Sequence, residues 1–139
     1  MPTAKQLGDQ QIAAAINGDW NTLRRLYSDD LQYVDPDGEV RGIEAAIARL
    51  QSQEGPLSNM SFEMSTFVAD ELHAVAEWTF TATNTGPLMI PGGTTIPATN
   101  RTMTIGIMTI YDVRNGRIVS ERSYWDNLSI YAQLRLPLD

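Results

Sequence analysis

The sequence has 139 residues, 42% of them hydrophobic, and a length that suits one domain over residues 1–139 with a core of its own. Its formal net charge of −7, with scattered Lys and Arg, lacks the basic clusters that nucleic acid or an anionic membrane surface requires. With no cysteine and one histidine, it excludes disulfides, thiol nucleophiles and Cys-ligated metals, and no metal is expected.

The N-terminal stretch "MPTAKQLGDQQIAAAINGDW" has no long apolar core behind a basic flank, so it does not read as a signal peptide. No apolar run approaches the roughly 20 residues needed to cross a bilayer. These features predict a soluble, cytoplasmic protein. Leu7, Gln11, Ala14 and Ala15 fall on one helical face, with Ile12 and Ile16 beside them, until "NGD" breaks the pattern. Asp19 is placed to cap a second helix, in which Trp20, Leu23, Leu26 and Tyr27 recur at helical spacing. Leu31, Tyr33 and Asp35 alternate with polar or smaller neighbours, a short strand that ends at Pro36. "RGIEAAIARLQS" predicts a third helix, with Ile43, Ala46, Ile47 and Leu50 on one stripe.

The remainder is read as β. "NMSFEMSTFVA" and "LHAVAEWTFTATNTG" are strands joined by a tight "ADE" turn. Ala74, Ala76, Trp78, Phe80 and Ala82 share one face of the second. The Pro- and Gly-rich "GPLMIPGGTTIPATN" is a long loop poised over something. "RTMTIGIMTIYDV" and "RIVSERSYW" form a long hairpin about "RNG", and "DNLSIYAQL" closes the chain with a short helix. Helices followed by a long antiparallel sheet imply an α+β fold. Met103, Ile105 and Ile107 on one face, and Met108 and Ile110 on the other, make the sheet apolar on both sides. Helices cover one side, and a second subunit is expected on the other, giving a homodimer through the outer sheet face.

The ordered set "NGDW", "VDPDGEVRG", "EWTFTATNTGPL", "IPATNRTM", "VRNGRIVSERSYWD" and "AQL" resembles the nuclear transport factor 2-like superfamily. Within it the chain is most similar to the SnoaL-like polyketide cyclases and their ketosteroid isomerase-like and limonene epoxide hydrolase-like relatives. The resemblance implies a cystatin-like, cone-shaped barrel, with three N-terminal helices packed on a long curved antiparallel sheet. It also implies a cavity on the concave face, lined by Tyr33, Asp35, Trp78, Phe80, Ile105, Ile107, Ser123 and Trp125. Glu77, Thr79, Thr81, Arg122 and Tyr124 then face outward.

Asp35 matches the aspartate that shuttles protons in the isomerases; from the residues alone it reads first as a turn former before Pro36. The isomerase oxyanion-hole tyrosine falls on Gln11 and its aspartic acid near Ile107 or Met108, so that donor pair is missing. Tyr33 and Asp35 also resemble the water-holding pair of the epoxide hydrolases. The activating aspartate of those enzymes falls on Ser123, and their Arg and Asp on Trp78 and Phe80. The last-strand acid of the cyclases falls on Ser123 too, unless a slipped register brings in Asp126, which is otherwise an N-cap. Glu121 shares parity with Ser123, and acids near a strand start are more often solvated or paired. His73, after the "ADE" turn, reads as a surface residue.

The expected catalytic group is therefore Asp35 with Tyr33, Ser123 and Asp126. Trp78, Phe80, Ile105, Ile107 and Trp125 are either substrate-binding wall or plain core. The reaction implied is cofactor-independent proton transfer, an isomerisation or aldol-type cyclisation, on an apolar cyclic or polyketide-like substrate. The alternatives are a non-catalytic binding protein for an apolar ligand, an epoxide hydrolase-like enzyme with a rearranged site, and a scaffold whose cone is filled.

Overall fold

The computed structural model describes residues 1–90 and 92–137. Three helices come first, α1 (Ala4–Asn17), α2 (Trp20–Leu26) and, after a first hairpin, α3 (Ile43–Glu54). Thr3 and Gln6 form a capping box at the start of α1, and Gly18 ends it in the left-handed conformation, where a glycine carries no Cβ penalty. Asp19 caps α2 by accepting from the Thr22 N–H.

The sheet has six strands in the order β2-β1-β8-β7-β4-β3. These are β1 (Tyr27–Asp35), β2 (Gly38–Arg41), β3 (Leu57–Ala69), β4 (His73–Asn84), β7 (Thr102–Arg114) and β8 (Arg117–Tyr124). The α+β class stands, with two corrections. The barrel is not closed, because β2 and β3 are edges. The sheet is not wholly antiparallel, because β1 runs parallel to β8. The cause is local: β1 leaves α2 directly and turns back through the short β2, so it meets the long meander only at its last strand.

Turn chemistry fixes the meander's register. Asn115 and Gly116 both have positive φ, as a two-residue hairpin between right-twisted strands requires. Asp70 Oδ1 accepts from the backbone N–H groups of Leu72 and His73, and so closes the β3–β4 turn. Strict alternation follows. Met103, Ile105, Ile107, Thr109, Tyr111 and Val113 are buried along β7, while the residues between them face out.

Ala74 and Ala76 on β4 are fully covered and leave room for α1. Gly8 permits the same approach. A Cβ there would stand 3.0 Å from Phe67 and 3.2 Å from Tyr111. One turn later α1 delivers Gln11 onto the sheet. Two apolar clusters result, one under the three helices and one around Phe80, Met103, Ile105, Leu134 and Leu136.

The loop after β4 folds into a small hairpin of β5 (Leu88–Met89) and β6 (Thr95–Ile96); Pro91 of this loop lies outside the described residues. Its base is held by Asn84, which is fully buried. The Asn84 amide donates to the carbonyls of Pro56 and Gly86, and its oxygen accepts from the Thr99 N–H. The last helix, α4 (Asn127–Leu134), starts at Asp126, whose carboxylate accepts from the Leu128 and Ser129 N–H groups.

Candidate active site

Neighbouring strands put inner-face side chains in rows. Tyr33 of β1 stands beside Glu121 of β8, and Glu121 stands opposite Tyr111 of β7. The next row pairs Ser123 with Thr109. Beyond it come Ile107 beside Trp78 and Ile105 beside Phe80. Successive rows on one face lie about 7 Å apart. Polarity is therefore confined to the first two rows, and the outer rows are apolar.

A cavity of about 800 Å³ opens above these rows. Its walls are mostly apolar: Ile12, Ile16, Leu50, Trp78, Phe80, Met103, Ile105, Ile107 and Leu134, with Pro87, Leu88 and Ile90 of the β5–β6 hairpin over them. A filled cone is thereby excluded. Trp78 meets both Phe62 and Phe80 edge-on, at centroid distances of 6.1 and 6.0 Å. Its indole N–H donates to Thr109 Oγ1 at 3.2 Å, and Thr109 bonds Ser123 at 2.9 Å.

At the floor, Glu121 is 2% exposed and lines the cavity. Tyr27 donates to one carboxyl oxygen at 2.9 Å, and the Gln11 amide to the other at 3.2 Å. The Gln11 oxygen is held in turn by the Tyr111 hydroxyl at 2.7 Å. No basic group compensates the acid. Burial pushes the Glu121 carboxyl up to about 8, against the lowering effect of the Tyr27 hydrogen bond. It is a neutral acid at pH 7. Burial also raises Tyr27, Tyr33 and Tyr111 well above the usual phenol range, so all three stay protonated.

Asp35 is arranged differently. Its side chain has 0% exposure, and Arg49 of α3 donates to Oδ1 at 2.7 Å. The Asp37 N–H also donates to Oδ1, and Gln53 donates to Oδ2 at 2.8 Å. Burial raises its pKa, opposed by Gln53, the Asp37 N–H and Arg49. Asp37, Arg49 and Gln53 line the cavity, and the Asp35 carboxylate lies behind them as their anchor.

The structure brings together on the cavity wall Tyr33, Ser123, Trp78, Phe80, Ile105, Ile107 and Trp125. It sets Asp126 apart, exposed and engaged as the α4 cap. His73 is exposed at the start of β4, beside Asp70. Reading the sequence left three wall residues without a role: Glu121, Gln11 and Glu54. Parity pointed Glu121 inward, but its burial depends on partners about a hundred residues away in the chain. Glu54 gave no signal, because its exposure is set by how far α3 runs.

Among curated proteins none matches the sequence significantly. Solved structures do. The chain is similar to TsrD from Streptomyces laurentii, with 27% identity, a TM-score of 0.76 and coverage of 93% of this chain and 92% of that one. It has the fold of a SnoaL-like polyketide cyclase from Agrobacterium tumefaciens, at 18% identity and TM-score 0.75, covering 96% and 99%. It has the fold also of an LEH-like epoxide hydrolase from M. tuberculosis, at 20% identity and TM-score 0.70, covering 95% and 89%. The model of the SnoaL-like polyketide cyclase family matches residues 7–134, nearly the whole chain. With its helices over one face of a curved open sheet and a cavity between them, the chain belongs to the SnoaL-like polyketide cyclase family.

Proposed function

We propose that this protein is a cofactor-independent enzyme that moves protons on an apolar cyclic or polyketide-like substrate, by isomerisation or aldol-type cyclisation. One observation carries the reading: a buried carboxyl, Glu121, bonded only by neutral donors in the floor of a mostly apolar cavity. A carboxylic acid kept neutral at pH 7 donates a hydrogen bond to charge developing on a carbonyl oxygen, and a dry site strengthens that bond. The donor that the resemblance left missing at Gln11 and Ile107 is assigned to Glu121. The two oxygens of Glu121 already receive hydrogen bonds from Tyr27 and Gln11, which fix its orientation. Tyr33 and Ser123 stand beside it as further hydroxyls.

The test uses 2-naphthol as an enol mimic and 2-tetralone as the matching carbon acid. Wild-type protein is expected to bind 2-naphthol and to speed exchange of the 2-tetralone α-hydrogens in D₂O. Glu121→Gln, a much weaker acid of the same shape, slows exchange by about 100-fold. Binding without any exchange identifies a binding protein instead.

The partner in this reading is a second copy of the chain, on the outer sheet face. Met108 and Tyr124, paired across β7 and β8, are exposed there. Gly106 lies mid-strand among them, and a Cβ on it would meet nothing within 4 Å. A strand glycine costs about 0.5–1 kcal/mol, and no contact inside the chain requires it. Close approach of another sheet supplies the reason. Gly106→Arg is expected to convert a dimer to a monomer in sedimentation equilibrium; a wild-type monomer, or a variant that stays dimeric, removes this interface.

A further inference from the structure

Besides Glu121, one other carboxyl on the cavity wall lacks an internal explanation. Glu54 is the last residue of α3 and lines the cavity. Among the described residues it has neither an ion pair nor a hydrogen bond. Its neighbours are engaged: Gln53 bonds Asp35 and Asp37, Arg49 bonds Asp35, and Asp37 also accepts from Asn127. A carboxylate at a helix C-terminus meets the negative end of the helix dipole, so the local structure gains nothing from an acid there. Burial alone pushes Glu54 up to about 7.

A second group on the same wall shares this condition. Tyr33 is 2% exposed, and its hydroxyl has no hydrogen-bond partner among the described residues, though it lines the cavity. Tyr33 stands beside Glu121 across β1 and β8, and Glu54 lines the same cavity. Tyr33 thus shares the cavity with the floor acid and with the unpartnered carboxyl of α3. A buried polar group left open on a cavity wall is where a ligand can complete the hydrogen bonding.

We infer that Glu54 is the base that takes the substrate's proton, with Tyr33 and Glu121 holding the oxygen on which charge develops. The inference rests on the proton-transfer reading above. The Glu54 carboxylate removes a proton from the carbon beside a carbonyl. The C–H electron pair becomes the C=C bond of an enolate, and the carbonyl π pair moves onto oxygen, where Glu121 and Tyr33 donate hydrogen bonds. Glu54 then returns the proton to a different carbon, which completes an isomerisation. Alternatively the enolate carbon attacks a second carbonyl, and the alkoxide so formed takes the proton back, which completes an aldol closure. No oxidant, reductant or metal enters the balance. Two carboxyls in two environments thus divide the work, a donor at the floor and a base on α3.

Glu54→Gln keeps the shape and removes the base. It is expected to slow 2-tetralone α-exchange by about 100-fold or more, the span of general-base catalysis. Affinity for 2-naphthol, which needs no base, stays within about threefold of wild type. A residue with only a structural role would lower thermal stability instead, whereas loss of an uncompensated half-buried acid leaves stability unchanged or higher. Exchange by Glu54→Gln within threefold of wild type overturns the assignment to Glu54 while leaving the proton-transfer reading intact. Absence of exchange in the wild-type protein overturns both.

Discussion

Replacing Glu121 by Gln flattens the pH dependence of stability and makes the protein more stable at alkaline pH. Glu121 ionises near 4.5 when unfolded and at about 8 when folded. Between those values the folded state binds the extra proton, so stability from this group is complete below about pH 4.5 and is lost as pH rises through 8. Glu54, raised to about 7, adds to the same slope, and Asp35 is shifted in the same direction. The amide has no proton to lose. Its melting temperature is expected to match wild type near pH 5 and exceed it at pH 9, by a stability difference on the order of a few kcal/mol. Thermal melts of both proteins from pH 5 to 9 make the comparison. Parallel curves across that range would show that Glu121 is charged in the folded state, and the donor role would fall with it.

Asp35→Asn is expected to lose about 3 kcal/mol of stability, because one partner of a covered ion pair is removed and Arg49 keeps its charge. Arg49 retains 18% exposure, which keeps the loss at the lower end for such pairs. The new amide also presents donors toward Gln53, whose own amide currently donates to Oδ2, so one of the two must turn. The 2-tetralone exchange rate per folded molecule should change far less than in Glu121→Gln. An unaltered melting temperature with a collapsed rate would return Asp35 to the acid/base role that its resemblance implied.

These two acids show what the chain made legible and what it hid. Alternation along "AVAEWTFTATN" and "TMTIGIMTIYDV" fixed which residues face inward, because a strand offers only two sides. Asp19 and Asp126 were readable as helix caps, since capping is settled within three residues. Local chemistry also placed the turns at Asp70 and at Asn115-Gly116. The state of Asp35 was not local. Its carboxylate is engaged by Arg49 and Gln53, 14 and 18 residues further on, and only the docking of α3 brings them there. Glu121 needed Gln11, from a helix 110 residues earlier. A side chain's direction follows from strand parity, whereas its protonation follows from the tertiary neighbours that replace water around it. The parallel β1–β8 pairing escaped for the same reason: each strand reads normally alone, and the partner is chosen by how β2 occupies the other edge of β1.

The hairpin of β5 and β6 has a consequence for how such a protein diversifies. Both of its ends return to the sheet through contacts with Asn84, and its Leu88, Ile90 and Ile96 touch only the outer apolar cluster. Among the described residues, none of the floor residues bonds to it. Lengthening, shortening or exchanging the segment between Gly86 and Thr99 alters the cavity's reach without shifting a single cross-strand pair of β4 and β7. In the proposed enzyme, the reach of the cavity and the acids of its floor are thus carried on separate pieces of chain, so that one could be swapped while the other is kept.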